Sequence, residues 1–112
     1  MDDDERKRRF ESELRSLFPR WRECADLGHG RVPGLITKHG GVGAAKHLLR
    51  GTGLSNGFVR LRDHGCLALT VEYLSLRLEF GSLFTHEERA IARRKLTENG
   101  MRRGDLPLEP YA

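Results

Sequence analysis

The chain has 112 residues, which is enough for one domain with a modest core and too few for two. Its 38% hydrophobic and 32% charged residues exclude an intrinsically disordered chain, and no apolar run is long enough to span a membrane. The net charge of +4 comes mostly from residues 27–62, the acid-free segment. This segment has no acidic side chain but contains six Lys or Arg residues, three histidines and nine of the 13 glycines. That balance favours a partner that carries phosphate groups.

The N-terminal quarter predicts two helices. Residues 4–17 repeat apolar side chains every three or four positions, at Phe10, Leu14 and Leu17. Pro19 suits the first turn of a helix, so we predict that a second helix begins there and buries Trp21. Gly28 is expected to end it.

The acid-free segment predicts three further helices. Pro33 opens a short helix that ends at Gly40 and Gly41, and helices 42–50 and 56–64 follow. Three hydroxyl residues stand at favourable N-cap positions along the chain: Ser55, Thr70 and Thr85.

The C-terminal half predicts a central helix and a last helix. Residues 71–80 carry two apolar stripes and a narrow polar edge, so this helix should lie at the centre, with Leu74 buried. The polar edge consists of Glu72, Ser75 and Glu79. Thr85 and Glu88 have capping-box spacing and open a helix that reaches Glu98.

Together these elements predict an all-α fold, a compact single-domain bundle of about six short helices. We divide it into a charged N-terminal helix (1–18), a helical core domain (19–100) and a flexible C-terminal tail (101–112).

Four sequence motifs occur in a fixed order: Gly-Gly-Val-Gly-Ala-Ala-Lys-His-Leu-Leu (40–49), Ser-Asn-Gly-Phe (55–58), Leu-Thr-Val-Glu (69–72) and Leu-Phe-Thr-His-Glu-Glu (83–88). As a set they resemble a recurrent small bacterial helical module, over roughly residues 20–100. The resemblance implies a bacterial origin and one compact helical unit, and it implies no activity. Related sequences have Arg-Leu-Asp-Leu where this chain has Cys66-Leu67-Ala68-Leu69, so an Arg–Asp pair there is missing.

Helices 42–50 and 56–64 carry the strongest functional pattern. These two short helices are joined by a turn with two glycines and have roughly helix-turn-helix proportions, although the turn is long for that motif. Asn and Arg are side chains that read adenine and guanine edges. The predicted nucleic-acid-binding residues, for DNA or RNA, are Lys46, Arg50, Asn56, Arg60, Arg62 and His64. The alternative is a solvated basic face.

Gly40 and Gly41 predict a separate anion-binding site, because the exposed N–H groups of a helix start can bind phosphate or sulfate. The alternative is that the glycines only stop one helix and start the next. A nucleotide-binding P-loop is excluded, since no strand precedes the glycines and His47 follows Lys46 where Ser or Thr is required.

The two cysteines suggest neither a metal site nor a disulfide. Cys24 with His29, and His64 with Cys66, could supply a Cys2His2 set, but the spacing matches no zinc module. We predict both cysteines to be small buried fillers, with either Cys24 or Ala25 on the inner stripe of its helix. We expect no metal, no cofactor, and a reducing, cytoplasmic location.

Binding is therefore favoured over catalysis. His64 and Cys66 are two residues apart and point to different faces, and no carboxylate pair is placed for acid–base chemistry, so we predict no enzyme. The alternative to nucleic acid is a protein-interaction adaptor. Its docking patch would use Phe80, Leu83 and Phe84, extended by the tail residues Leu106, Leu108 and Tyr111, unless these aromatic residues close the end of the core.

Overall fold

The structure, a computed structural model, describes residues 2–51 and 53–107. Within these residues it contains five α-helices and no strand: α1 (Asp3–Ala25), α2 (Val32–Arg50), α3 (Asn56–Asp63), α4 (Val71–Leu76) and α5 (His86–Glu98). Three short 3₁₀ helices complete it: Leu67–Leu69, Leu78–Leu83 and Arg103–Asp105. The predicted all-α single unit is confirmed.

Helix α1 is one helix of 23 residues, so the predicted restart at Pro19 is wrong. The apolar stripe continues in phase across the proline, from Leu17 to Trp21, and both side chains are buried. Pro19 lies on the exposed side of the helix. It has no N–H to donate to the carbonyl one turn earlier, and on this side water can reach that carbonyl instead. The helix ends at Ala25, and its C-cap Asp26, two residues before the predicted end at Gly28, adopts the left-handed conformation with φ 48°.

Helix α2 contains the glycine boundary predicted from sequence. Gly40 has φ 76° and ψ 171°, so the helical conformation is interrupted there and resumes at Gly41. Positive φ is the region that favours glycine, which explains the residue at the kink. Ala44, Ala45 and Leu49 are buried below the second half of the helix.

All three predicted N-caps are confirmed. The hydroxyls of Ser55 and Thr70 accept the backbone N–H groups of Phe58 and Tyr73, each at 3.1 Å. Thr85 and Glu88 form both halves of a capping box. Such caps satisfy N–H groups that have no partner inside the helix.

Helix α4 is shorter than the predicted helix 71–80. It ends at Leu76, and Arg77 adopts an extended conformation that turns the chain into the 3₁₀ helix Leu78–Leu83. The turn exposes Leu78, although the sequence places it on an inner stripe, and it buries Glu72 and Ser75 of the predicted polar edge. Leu74 is buried as predicted.

The predicted docking patch of Phe80, Leu83 and Phe84 is wrong, because these three side chains are at most 8% exposed. The rings of Phe80 and Phe84 pack on Phe10 of α1, with centroids 5.2 and 5.3 Å apart. They close the core beneath the turn at Arg77. Leu106 is half-buried against the core, and Leu108 and Tyr111 lie outside the described residues.

Cys24 and Cys66 form a disulfide, so the prediction of two separate buried fillers is wrong. Cys24 is exposed on α1 and its neighbour Ala25 takes the buried position, while Cys66 is 4% exposed after α3. The bond links segments 42 residues apart. Neither sulfur is then a thiolate for the Cys2His2 arrangement considered from sequence.

Candidate phosphate-binding site

The second half of α2 lines a depression of about 390 Å³. We call it the basic depression, and its lining residues are His39, Gly43, Lys46, His47, Arg50 and Gly51. Four of the six can carry positive charge and none is acidic. One face of the helix presents these residues together despite the kink at Gly40. The spacing is three or four residues between positions 39, 43, 46 and 50, and His47 is adjacent to Lys46.

A buried carboxylate beneath the basic depression fixes its two permanent cations. Glu88 of α5 has a side chain that is 2% exposed. Its Oε1 accepts Lys46 Nζ at 3.0 Å, and its Oε2 accepts Arg50 Nε at 3.1 Å and lies 3.0 Å from Arg50 Nη2. The Lys46 side chain is 32% exposed and that of Arg50 66% exposed, so both reach solvent from this anchor.

Glu88 is charged because its partners outweigh its burial. Burial raises the pKa of the carboxyl. The N–H of Thr85 and the cations of Lys46 and Arg50 lower the pKa by a larger amount, so it lies below its ordinary value. Thr85 N donates to Oε1 at 2.9 Å as part of the capping box. One carboxylate therefore caps α5 and orients two cations of α2.

Two histidines border the same depression. The rings of His39 and His47 are nearly parallel, with an interplanar angle of 15° and centroids 5.9 Å apart. A Cβ at Gly43 would lie 2.8 Å from the Cβ of His39, so a side chain there would displace this ring. Glycine therefore keeps the floor open between the two imidazoles.

The candidates on α3 do not join this surface. Arg60 Nε donates to the carbonyl of Ala25 at 2.7 Å, and His64 Nδ1 donates to the carbonyl of Arg60 at 2.8 Å. Arg62 donates to Asp63 and Asn99. Asn56 lies at the first turn of α3 and lines a different cavity. Of the six predicted residues, the structure brings together Lys46 and Arg50.

The packing of α3 also differs from that of a recognition helix. It packs mainly against α1 and the 3₁₀ helix Leu67–Leu69. In a helix-turn-helix, the second helix packs on the first and presents its outer face to the major groove. Here the basic side chains of α3 bind carbonyls and side chains of the protein itself.

A carboxylate of the protein occupies the predicted anion site at Gly40 and Gly41. The N–H of Gly41 donates to Glu11 Oε1 of α1 at 2.8 Å. A Cβ at Gly41 would lie 2.6 Å from the Cβ of Glu11, so glycine permits this close approach of the two helices. An external anion would have to displace Glu11.

Glu88 and His39 are the residues of this site that the sequence does not single out as binding groups. The capping box identifies Glu88 only as a helix-start residue, and its contacts with Lys46 and Arg50 span 42 and 38 positions. His39 could have been found from its spacing to Gly43 and Lys46, but the predicted break at Gly40 hides that spacing.

Comparison with protein-family models, curated proteins and solved structures gives no match. Within residues 2–51 and 53–107, no three His, Cys, Asp or Glu side chains are grouped as metal ligands. Over the same residues, no helix has both the length and the apolar character needed to cross a membrane.

Proposed function

We propose that this protein binds DNA or RNA through phosphate groups that enter the basic depression. The observation that carries the proposal is the convergence of His39, Lys46, His47 and Arg50 on one concave surface, with no acidic lining residue in the part of the chain that the structure describes. Phosphate contacts fix a protein on nucleic acid and supply most of the sequence-independent affinity.

Preorganisation supports this proposal. Lys46 and Arg50 are anchored by Glu88, so less side-chain freedom is lost when a phosphate binds. Glu88 cancels one of the two permanent charges, but its carboxylate is buried and the cations are not. Arg50 can present its remaining guanidinium N–H groups to a phosphate oxygen.

The proposed binding is independent of base sequence. Reading bases would require polar side chains that can enter a groove, and those of Arg60, Arg62 and His64 have partners within the protein. The adaptor alternative loses its predicted patch because Phe80, Leu83 and Phe84 are buried. It becomes the favoured reading if nucleic acid does not bind.

A salt titration tests the proposal. Each phosphate contact releases condensed counterions, so two contacts should give a slope of log affinity against log salt of about −2 with duplex DNA. Fluorescence anisotropy with labelled duplex DNA and with single-stranded RNA at several salt concentrations measures this slope. Affinity that is absent at low salt for both nucleic acids would rule out the proposal.

Two charge-matched variants locate the contact. Arg50→Gln should weaken binding and flatten the slope by about 1, because one phosphate contact is lost. Lys38→Gln removes the same charge from the exposed surface of α2 outside the basic depression, and should leave the slope unchanged. Equal effects of the two variants would show that general charge, rather than this depression, attracts the nucleic acid. The unfolding midpoint of Arg50→Gln checks that its fold survives.

The bacterial origin and cytoplasmic location remain part of this proposal. The disulfide is typical of an oxidising compartment, because a reducing cytoplasm keeps cysteines as thiols. In the cytoplasm, we expect Cys24 and Cys66 to be reduced thiols.

A further inference from the structure

A second and larger cavity lies on another part of the surface. We call it the apolar cleft; it has a volume of about 640 Å³ and opens between the loop that follows α1 and the loop that precedes α3. Its floor consists of buried side chains: Trp21, Phe58, Leu61, Thr70, Val71 and Glu72. This volume falls within the range of about 300–1,000 Å³ typical of small-molecule sites.

Glycines keep the mouth of the apolar cleft open. Five of its lining residues are glycines: Gly28, Gly30, Gly51, Gly53 and Gly57. Gly30 and Gly53 have φ of 54° and 74°, which L side chains rarely adopt. The basic depression accounts for only some of the glycines in the acid-free segment. These five glycines line the apolar cleft instead or as well.

One buried carboxyl group on the floor has few partners among the described residues. Glu72 is 6% exposed, and its nearest ionic partner, Lys95 Nζ, is 3.8 Å away, beyond hydrogen-bonding distance. Burial raises the pKa of Glu72, with its own backbone N–H and Lys95 acting in the opposite direction. Lys95 Nζ instead donates to the carbonyl of Leu49 at 3.2 Å. A carboxyl group has several acceptor sites and the backbone N–H of Glu72 uses one of them, so a donor in the cleft can bind another.

The rim carries the positive charge of Arg31. Arg31 and His29 line it, and both are exposed. The Arg31 guanidinium has no ion-pair or hydrogen-bond partner in the part of the chain that the structure describes. The rim residues 27–31 and 53–55 belong to the acid-free segment, and Asp26, which precedes them, forms an ion pair with Arg22 instead. An anionic group would therefore be favoured at the mouth.

We propose that the apolar cleft binds a small organic acid whose apolar body carries an O–H or N–H donor. The carboxylate lies at the rim beside Arg31 and His29, the body covers Trp21 and Phe58, and the donor reaches Glu72. This site is separate from the basic depression, and of the described lining residues the two share Gly51.

Three small probes test the chemistry on the unmodified protein. para-Hydroxyphenylpropionate has the acid, the aromatic body and the donor; para-methoxyphenylpropionate lacks the donor, and tyramine replaces the acid by an ammonium group. Trp21 is the single tryptophan and lies on the floor, so its fluorescence reports occupancy. We expect the hydroxy acid to bind with a Kd of about 1 mM, as its small size allows. The methoxy acid should bind about tenfold more weakly, since it offers Glu72 no hydrogen-bond donor.

Variants place the probe in the apolar cleft. Arg31→Gln should weaken binding of the hydroxy acid about fivefold, and Lys38→Gln, which removes an exposed charge outside the cleft, should not. Gly57→Leu should abolish binding, because a Cβ at Gly57 has ordinary contact with Leu27 and the longer side chain then fills the mouth. Gly34→Leu is its control, on α2, where a Cβ meets open space. Thermal melting checks that each variant is folded.

Each outcome decides one part of the proposal. Equal affinity of the two acids would show that Glu72 does not contact the probe. If tyramine binds as tightly as the hydroxy acid, the site does not require an anionic head group. A Gly57→Leu protein that melts like the control and still binds would place the probe elsewhere. Failure of all three probes to change Trp21 fluorescence at millimolar concentration would overturn the proposal. None of these results depends on nucleic-acid binding.

Discussion

Reduction of the Cys24–Cys66 disulfide is expected to lower the free energy of unfolding by about 4 kcal/mol. The bond closes a loop across a sequence separation of 42 residues, and the chain-entropy argument gives this size of stabilisation for such a loop. Urea unfolding with and without dithiothreitol measures the difference. Because Cys24 is exposed, the reductant can reach the bond in the folded protein.

The reduced protein should remain folded, because other contacts join the same segments. Trp21 Nε1 donates to the carbonyl of Leu69 at 2.7 Å, and Arg60 Nε donates to the carbonyl of Ala25. These bonds link the end of α1 to α3 and to the 3₁₀ helix that follows it. The helical circular dichroism spectrum should thus survive reduction while the unfolding midpoint falls.

A double variant separates the disulfide from other effects of reductant. Cys24→Ala with Cys66→Ala should have the midpoint of the reduced wild type and should not respond to dithiothreitol. Alkylation of the unfolded, unreduced wild type should label neither cysteine. Two labelled cysteines in protein purified under air, or an unchanged midpoint on reduction, would show that the bond does not form in solution.

The sequence predicts most reliably those features that are decided within four residues. The N-caps at Ser55, Thr70 and Thr85 are correct because hydroxyl and N–H belong to the same turn. The kink at Gly40 is correct because only its own φ must be positive. The break expected at Pro19 fails, because burial of Trp21 favours continuing the helix and this burial depends on distant segments.

The candidate site is less predictable because charge alone does not show which cations face solvent. The acid-free segment correctly directs attention to Lys46 and Arg50, but the acid that anchors them comes from α5, outside that segment. Similarly, Glu11 of α1 supplies the carboxylate at Gly41. A local absence of acidic residues is thus compensated by carboxylates from other helices, which no local pattern reveals.

Replacement of Glu88 should have the second large effect on stability. Glu88→Ala removes one half of the capping box and both ion pairs, and we expect a loss of about 3 kcal/mol. Lys46 and Arg50 remain partly hydrated, which keeps the cost below that of leaving fully buried charges unpaired. Glu88→Gln retains an acceptor for the Thr85 N–H and should lose about 2 kcal/mol. Glu87→Gln, at the exposed neighbouring position, is the control and should be near neutral.

The effect of Glu88 should depend on pH in a defined direction. The pKa of Glu88 in the folded protein lies below its ordinary value of 4.5, so its stabilisation is complete above that value and is lost as the pH falls through the lower, folded pKa. We expect urea unfolding to give a difference in unfolding free energy between wild type and Glu88→Gln that is constant from neutral pH down to about pH 4.5. Below that pH, the difference should become smaller. The Glu87→Gln protein, measured alongside, should follow the wild type more closely at every pH. A difference between wild type and Glu88→Gln that stays constant into acid would mean that the charge of Glu88 contributes nothing and that its value to the fold lies in shape and capping alone.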